Sequence, residues 1–412
     1  MQFKNVFIAV FLGTALIVAA IIVNGGRPDV VIAQPHAEAV EATGKCADCH
    51  REETSSIVHQ YEISTHAREG VTCLDCHNPI EGQESEDHRD FTITTQVTSG
   101  NCRQCHATEY EQYNRSRHGA PAWAAVHGRE HFTEEQIAHA EEYHPGSVDR
   151  NANGLANLEG DGAHKSGCEG CHDIGKPNPD GSIGTCIDCH SRHSSSIALA
   201  RSPETCGQCH MGPDHSQLEI YKESLHGVLF TAQRATMDLS VSPDELTTED
   251  MPIPTCSTCH MSGLDGMKTT HDVTERLSWY LYAPVSAQRP GYTAGQDEMQ
   301  ELCTKCHVAS TVETLYEDAE TVVRSTNEKV ARMRTLIGEL REEGLLTPQP
   351  FDELFEFMEF DYWHYFGRTA KHGAFMGGAD FVQWHGNYEL LLMQVEMEEM
   401  AAEMRAEAAG AH

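Results

Sequence analysis

Apolar residues are distributed in three different patterns along this chain. From Val6 to Val23 they run with no charged residue among them, just after Lys4. From 43 to about 310 they are sparse, and Gly, Pro, Asn and Ser interrupt them often. No stretch there alternates as a half-buried strand does, so short helices and loops are expected. From Val312 to Leu346 the apolar positions return at helical spacing, through Ala319, Val323, Val330, Met333, Ile337 and Leu340, with charged faces between them. Gly344 sits near the end of that helix. Phe351–Phe366 predicts a second helix, whose aromatics read as core and interface, and Tyr388–Ala409 predicts a third. The fold class expected is mainly α, a loop-rich central region followed by long C-terminal helices.

The Val6–Val23 run is 18 residues long. That lies between the roughly 7–15 apolar residues of an export signal and the roughly 17–25 of a spanning helix. Its length favours an uncleaved anchor over a cleaved signal, and either reading places the rest of the chain outside the cytoplasm. The expected layout is 1–24 for this segment, 25–42 for a polar linker with Gly25, Gly26, Pro28 and Pro35, 43–310 for the central region and 311–412 for the helical region.

Composition narrows the partners. The formal net charge is −34, which argues against nucleic acid. Hydrophobic residues make up 39% of the chain, below the usual fraction of about 45–50%. An ordinary chain of that content would have a thin core.

The cysteines explain what fills it. All 16 belong to Cys-x-x-Cys-His motifs: Cys46/Cys49/His50, Cys73/Cys76/His77, Cys102/Cys105/His106, Cys168/Cys171/His172, Cys186/Cys189/His190, Cys206/Cys209/His210, Cys256/Cys259/His260 and Cys303/Cys306/His307. At these residue frequencies chance gives on the order of 0.04 copies. A disulfide framework does not need a histidine after every second cysteine, and zinc sites pair separated half-motifs. The motif is that of covalent haem c: two thioether tethers and a proximal imidazole. Eight covalently bound haems (iron) are expected, their macrocycles supplying much of the apolar interior. The chain reads as a multihaem cytochrome c that does not fold without its cofactors.

A repeat, Tyr-x-x-Ser-x-His, occurs at Tyr61/Ser64/His66, Tyr113/Ser116/His118 and Tyr221/Ser224/His226, each followed by Ala or Gly. These histidines read as distal ligands carried by a helix to a neighbouring haem, with the small residue allowing close approach to a flat macrocycle. The candidate distal set is His66, His118, His164, His193, His226, His271, His372 and His385. It holds one more than seven electron-carrying haems require if one iron stays open for catalysis. His36, His131, His139, His144 and His412 read as solvated. Asp214-His215, beside the turn-forming Gly212-Pro213, is a candidate proton-moving pair; the alternative is that Asp214 only caps a helix.

Three strings resemble the octahaem hydroxylamine oxidoreductase family. They are Cys206-Gly-Gln-Cys-His-Met-Gly-Pro-Asp-His215 with its continuation to Gly227, His271–Trp279, and Ala370–Gly386. The resemblance spans roughly residues 43–405. It implies a largely helical fold, a homotrimer, a catalytic haem at Cys168/Cys171/His172, and Asp214 and His215 lining its distal pocket. Oxidative members carry a C-terminal tyrosine that crosslinks to the catalytic haem of a neighbouring subunit. The corresponding string here is Asp380-Phe381-Val382-Gln383-Trp384, with phenylalanine in that place, although Tyr365 or Tyr388 serves if the alignment is shifted. Members without the tyrosine resemble reductases. The expectation is a periplasmic or outward-facing reductase of nitrite or hydroxylamine to ammonia, fed by a membrane or periplasmic cytochrome. Hydroxylamine oxidation and non-enzymatic electron transfer are the alternatives.

Overall fold

The computed structural model describes residues 39–410. The Val6–Val23 run, His36 and His412 lie outside the described residues. Among the described residues no helix is long and apolar enough to cross a membrane.

The chain is mostly helical, and the helices of the central region are short. The Cys-x-x-Cys-His spacing accounts for part of this. In a helical turn, residues i, i+3 and i+4 share one face, so both thiols and the imidazole point the same way. The turn closes with the histidine N–H donating to the first cysteine's carbonyl, at 3.0 Å for His106 and Cys102 and 2.9 Å for His307 and Cys303. Thr72 and Thr255, one residue before Cys73 and Cys256, start such turns with reciprocal capping boxes.

The Tyr-x-x-Ser-x-His repeat is a joint between helices. Ser64 and Ser224 leave the helical region and cap the next helix, accepting from the N–H of Ala67 and Gly227. The tyrosine hydroxyls reach across to another segment. Tyr61 donates to the Val71 carbonyl at 2.5 Å and Tyr221 to the Pro254 carbonyl at 2.9 Å, each two residues before a motif cysteine. The glycine after the repeat histidine answers to a local crowding. A Cβ on Gly227 would lie 1.9 Å from the Tyr221 carbonyl oxygen, and one on Gly119 2.8 Å from that of Asn114. Backbone contact by itself already requires a small residue there.

Among the described residues one two-stranded antiparallel hairpin, Glu86–His88 with Phe91–Ile93, interrupts the helical pattern. Strands only three residues long carry no readable alternation.

The C-terminal region is a bundle of long helices. In Ala309–Glu342 the buried positions are Val312, Tyr316, Ala319, Val323, Thr326, Val330, Met333, Ile337 and Leu340, alternating steps of four and three. Its second half, Val330 to Leu340, packs with Phe355, Tyr362, Ala370, Leu390, Met397 and Ala401. The second helix does not stop at Phe366. It runs from Leu354 through a π-helical turn, Tyr362–Gly367, to Met376. The third begins earlier than expected, at Ala379, and passes a second π-turn, Gln383–Tyr388, before Glu389–Gly410. A π-turn adds a residue to one turn and breaks the phase of the apolar pattern, so the expected ends, Phe366 and Tyr388, fall at the π-turns.

Candidate functional site

All 16 motif cysteines are free, so none is spent on a disulfide. Their surroundings are not alike: fourteen are half-buried and two are exposed. Cys105 and Cys306 are exposed. The helices Ser99–Cys102 and Tyr292–Thr304 end before them, so each stands on the turn that follows. There the N–H of Cys105 donates to the Cys102 carbonyl at 3.1 Å, and that of Cys306 to the Cys303 carbonyl at 3.2 Å. Cys49 is half-buried, on the helix Lys45–Glu53, which buries Ala47 alone. The place of all 16 as tethers rests on motif spacing.

Six motif histidines each face a second histidine from a different part of the chain. The ring centroids are 6.1 Å apart for His50 and His88, 6.4 Å for His77 and His193, and 6.1 Å for His106 and His66. They are 6.3 Å apart for His190 and His271, 5.8 Å for His210 and His118, and 5.9 Å for His307 and His226. An iron with an imidazole nitrogen about 2 Å away on each side sets ring centres roughly 6 Å apart. The gaps therefore fit one haem iron each. Each repeat histidine faces the motif of a different haem from the one it follows in sequence.

Several motif imidazoles are held by one nitrogen. Nδ1 lies 2.8 Å from the Thr94 carbonyl in His77, 2.6 Å from the Ala122 carbonyl in His172 and 3.3 Å from the Val273 carbonyl in His260. Nδ1–H donating to a carbonyl leaves Nε2 as the free lone pair a metal needs.

The remaining sequence candidates go elsewhere. His164 lies face to face with His127 at 4.5 Å. His372 is buried, its Nδ1 on the Arg368 carbonyl and its ring 4.7 Å from that of Tyr282. His385 is half-exposed and pairs with Asp380 at 3.1 Å. His144, expected in solvent, is buried with Nε2 2.7 Å from the Arg115 carbonyl. His88 was not among the sequence candidates. It sits in the short hairpin, and no repeat or motif marks it. At the spacing of the six pairs, no histidine faces His172 or His260 among the described residues.

His172 has different neighbours. The charged groups acting on it are His215, Asp214 and Arg368. Asp214 and His215 occupy the turn after the sixth motif, where Gly212 has φ 82° and its N–H donates to Glu219. The Asp214 carboxylate accepts from His215 Nδ1 at 2.7 Å. It also lies 4.0 Å from His364 Nε2 and 3.9 Å from the Arg368 guanidinium. Burial works to raise the Asp214 pKa, but His215, then His364 and Arg368, bring it down to about 2.

His364 and Arg368 come from the π-turn and the helix after it. Arg368 donates from Nε to the Tyr282 carbonyl at 3.1 Å, and its guanidinium lies over the Tyr282 and Trp363 rings. Burial, then the Arg368 charge, depresses His364 to about 3, so its ring is neutral. Next to Arg368, the Lys371 side chain is fully buried, yet its ammonium has three acceptors: Ala283 O, Pro284 O and Ser286 Oγ. Burial pushes it down to about 7. Sequence reading missed His364, Arg368 and Tyr282. The first lies in a stretch assigned to core aromatics, and all three are far along the chain from Asp214.

Phe381 is buried, 7% exposed, with its ring 5.0 Å from that of His385. Trp384, Tyr388, Leu391, Leu392 and Val395 form an exposed apolar stripe along the last helix and the π-turn before it.

Comparison with known proteins agrees with a multihaem cytochrome. A family model described as seven times multi-haem cytochrome CxxCH matches residues 69–352, a span that contains seven of the eight motifs and starts after the first. A probable nitrite reductase-hydroxylamine oxidoreductase fusion protein of Kuenenia stuttgartiensis is 25% identical over 369 residues, covering 74% of this chain and 39% of the relative. The chain thus spans about two fifths of that curated relative's length. A solved hypothetical multiheme protein superposes with a TM-score of 0.77 at 22% identity, covering 93% of this chain and all of the other. A reducing HAO-like protein complex of Kuenenia stuttgartiensis gives 0.67 at 20% identity, covering 88% and 85%.

Proposed function

The chain belongs to the multihaem CxxCH cytochromes, and on that premise we propose that it is an octahaem reductase that converts nitrite, and hydroxylamine, to ammonia. The observation that carries the reading is the difference among the motif histidines. Six face an imidazole; of the two that do not, His260 has only the Arg276 charge acting on it, whereas His172 has Asp214, His215 and Arg368 in its surroundings. A haem tethered at Cys168 and Cys171 and held by His172 would supply an open iron position for the substrate nitrogen and the electrons to reduce it.

The protein's part is electrostatic and protonic. Arg368 offers a partly desolvated cation to an anionic substrate. Asp214 accepts from His215 Nδ1, which leaves His215 Nε2 turned to the opposite side. His215 can then donate protons to the departing oxygens and be recharged from solvent, with which Asp214 remains in contact through its 36% exposed side chain. Neutral His364, already accepting from Arg368, keeps that guanidinium aimed at Asp214. Reduction of nitrite to ammonium consumes six electrons and eight protons, so a refillable proton donor is a chemical requirement.

The reductive direction is supported by Phe381, which has no phenolic oxygen to join a macrocycle and is buried within its own chain. The printed names of the two Kuenenia relatives also speak of nitrite reduction and of a reducing protein. Self-association, proposed as a homotrimer, would cover the exposed Trp384-to-Val395 stripe, which solvent does not favour. A partner cytochrome outside the cytoplasm would deliver electrons.

The test is ammonia formation from nitrite by the isolated holoprotein under dithionite-reduced mediator, with mass spectrometry of the haem peptide around Cys168. Ammonia with an unmodified haem peptide is expected. A crosslinked haem and no ammonia would establish the oxidative direction. No high-spin haem and no spectral response to nitrite or hydroxylamine would leave an electron carrier.

A further inference from the structure

Outside the haem-facing histidines, one cluster has no role in this scheme. His127 ends the helix Ala120–His127, His164 precedes the fourth motif by four residues, and Glu169 lies within that motif, directly after Cys168. One ligand atom from each of the three lies within 4.8 Å of the others. His127 Nε2 is 3.6 Å from a Glu169 carboxylate oxygen. Nε2 of His127 and Nε2 of His164 are both buried, and neither has a hydrogen-bond partner. Two adjacent orphaned nitrogens beside a carboxylate cost free energy unless something binds between them.

Local backbone brings the pair on one segment together. In a regular α-helix, residues five apart point about 140° away from each other. His164–Cys168 is a π-turn, which holds one more residue per turn and returns Glu169 to the side of His164. Trp123 stacks on His127 at 3.7 Å and walls off the opposite face of its ring.

We propose that His127, His164 and Glu169 bind one divalent cation of the zinc type, a structural site distinct from the haems. Two imidazoles and one carboxylate suit borderline first-row ions, whereas calcium and magnesium prefer oxygen ligands throughout. Three protein ligands leave a fourth position to water. On binding, the two stacked imidazoles turn their edges toward the ion. The cation ties the helix Ala120–His127 to the segment carrying Cys168, Cys171 and His172. That helix also provides the Ala122 carbonyl that orients His172, so the ion fixes the frame of the proximal ligand from behind.

The experiment uses the holoprotein, equilibrated with zinc and dialysed into metal-free buffer. Elemental analysis is expected to find close to one zinc per chain beyond the haem iron. Zinc-edge X-ray absorption is expected to show two imidazole nitrogens at about 2.0 Å and no sulfur. His127→Ala and His164→Ala are expected to cut retained zinc at least tenfold while haem per chain is unchanged. Less than a tenth of a zinc per chain, sulfur in the first shell, or full retention in both variants would overturn the site. If the variants do not fold, the absorption spectrum of the unaltered protein decides alone. None of these readouts depends on nitrite turnover, so the site and the proposed reaction stand or fall separately.

Discussion

The Arg368 guanidinium donates a hydrogen bond to Nε2 of His364 across 2.9 Å, one turn apart on the same helix. Arginine has no acceptor, so His364 must be neutral at that nitrogen. The pair presents a fixed cation to the site around Asp214.

Removing that cation should weaken binding of the anion more than binding of the neutral substrate. Arg368→Gln is expected to raise KM for nitrite about 10-fold and to change KM for hydroxylamine much less. Steady-state kinetics on both substrates checks this. Equal effects on the two would point to a structural role instead.

Asp214 acts through His215. Asp214→Asn should leave substrate binding intact and lower kcat by about 10²-fold. The same residue predicts a pH effect on stability. Its folded pKa, about 2, lies below the ordinary carboxylate value of 3.8. Its contribution is therefore fully present above about pH 4 and fades as pH falls toward 2. Denaturation midpoints of the unaltered and Asn proteins should differ at neutral pH and converge toward pH 2. A gap that persists at pH 2 would show that the carboxylate charge is not what stabilises.

Gly227→Ala places a methyl 1.9 Å from the Tyr221 carbonyl oxygen. The helix that carries His226 must shift, at a cost of about 1–3 kcal/mol. A lower thermal midpoint is expected, together with one low-spin haem signal weakened as His226 leaves His307. An unchanged spectrum would show that the joint tolerates the shift.

His88 and His164 separate a haem ligand from a bystander. His88→Ala should convert one low-spin haem to high spin, since His88 faces His50. His164→Ala should leave the number of low-spin haems unchanged, because its ring faces His127. Electron paramagnetic resonance counts both populations. The reverse pattern would reassign the two residues.

The one-turn presentation of the Cys-x-x-Cys-His residues and the helical C-terminal region were legible in the sequence because each is local. Two thiols and an imidazole on one turn obey the spacing of a single helix, and the Val312–Leu340 seam repeats within one. The Tyr-x-x-Ser-x-His repeat was legible as a pattern, whereas its capping serine and crowded glycine show only in the folded backbone. How deeply each tether sits was not legible: Cys105 and Cys306 are exposed while other motif cysteines with the same spacing are half-buried. Which histidine faces which motif was likewise decided only by tertiary structure. His193 reaches His77 from more than a hundred residues downstream, and His88 reaches His50 from a hairpin too short to show alternation. The same holds for the pocket, where Asp214 meets His364 and Arg368 across about 150 residues. Sequence spacing determines what one backbone turn can present. What stands opposite depends on where packing and the π-turns carry a second segment, and no periodicity records that.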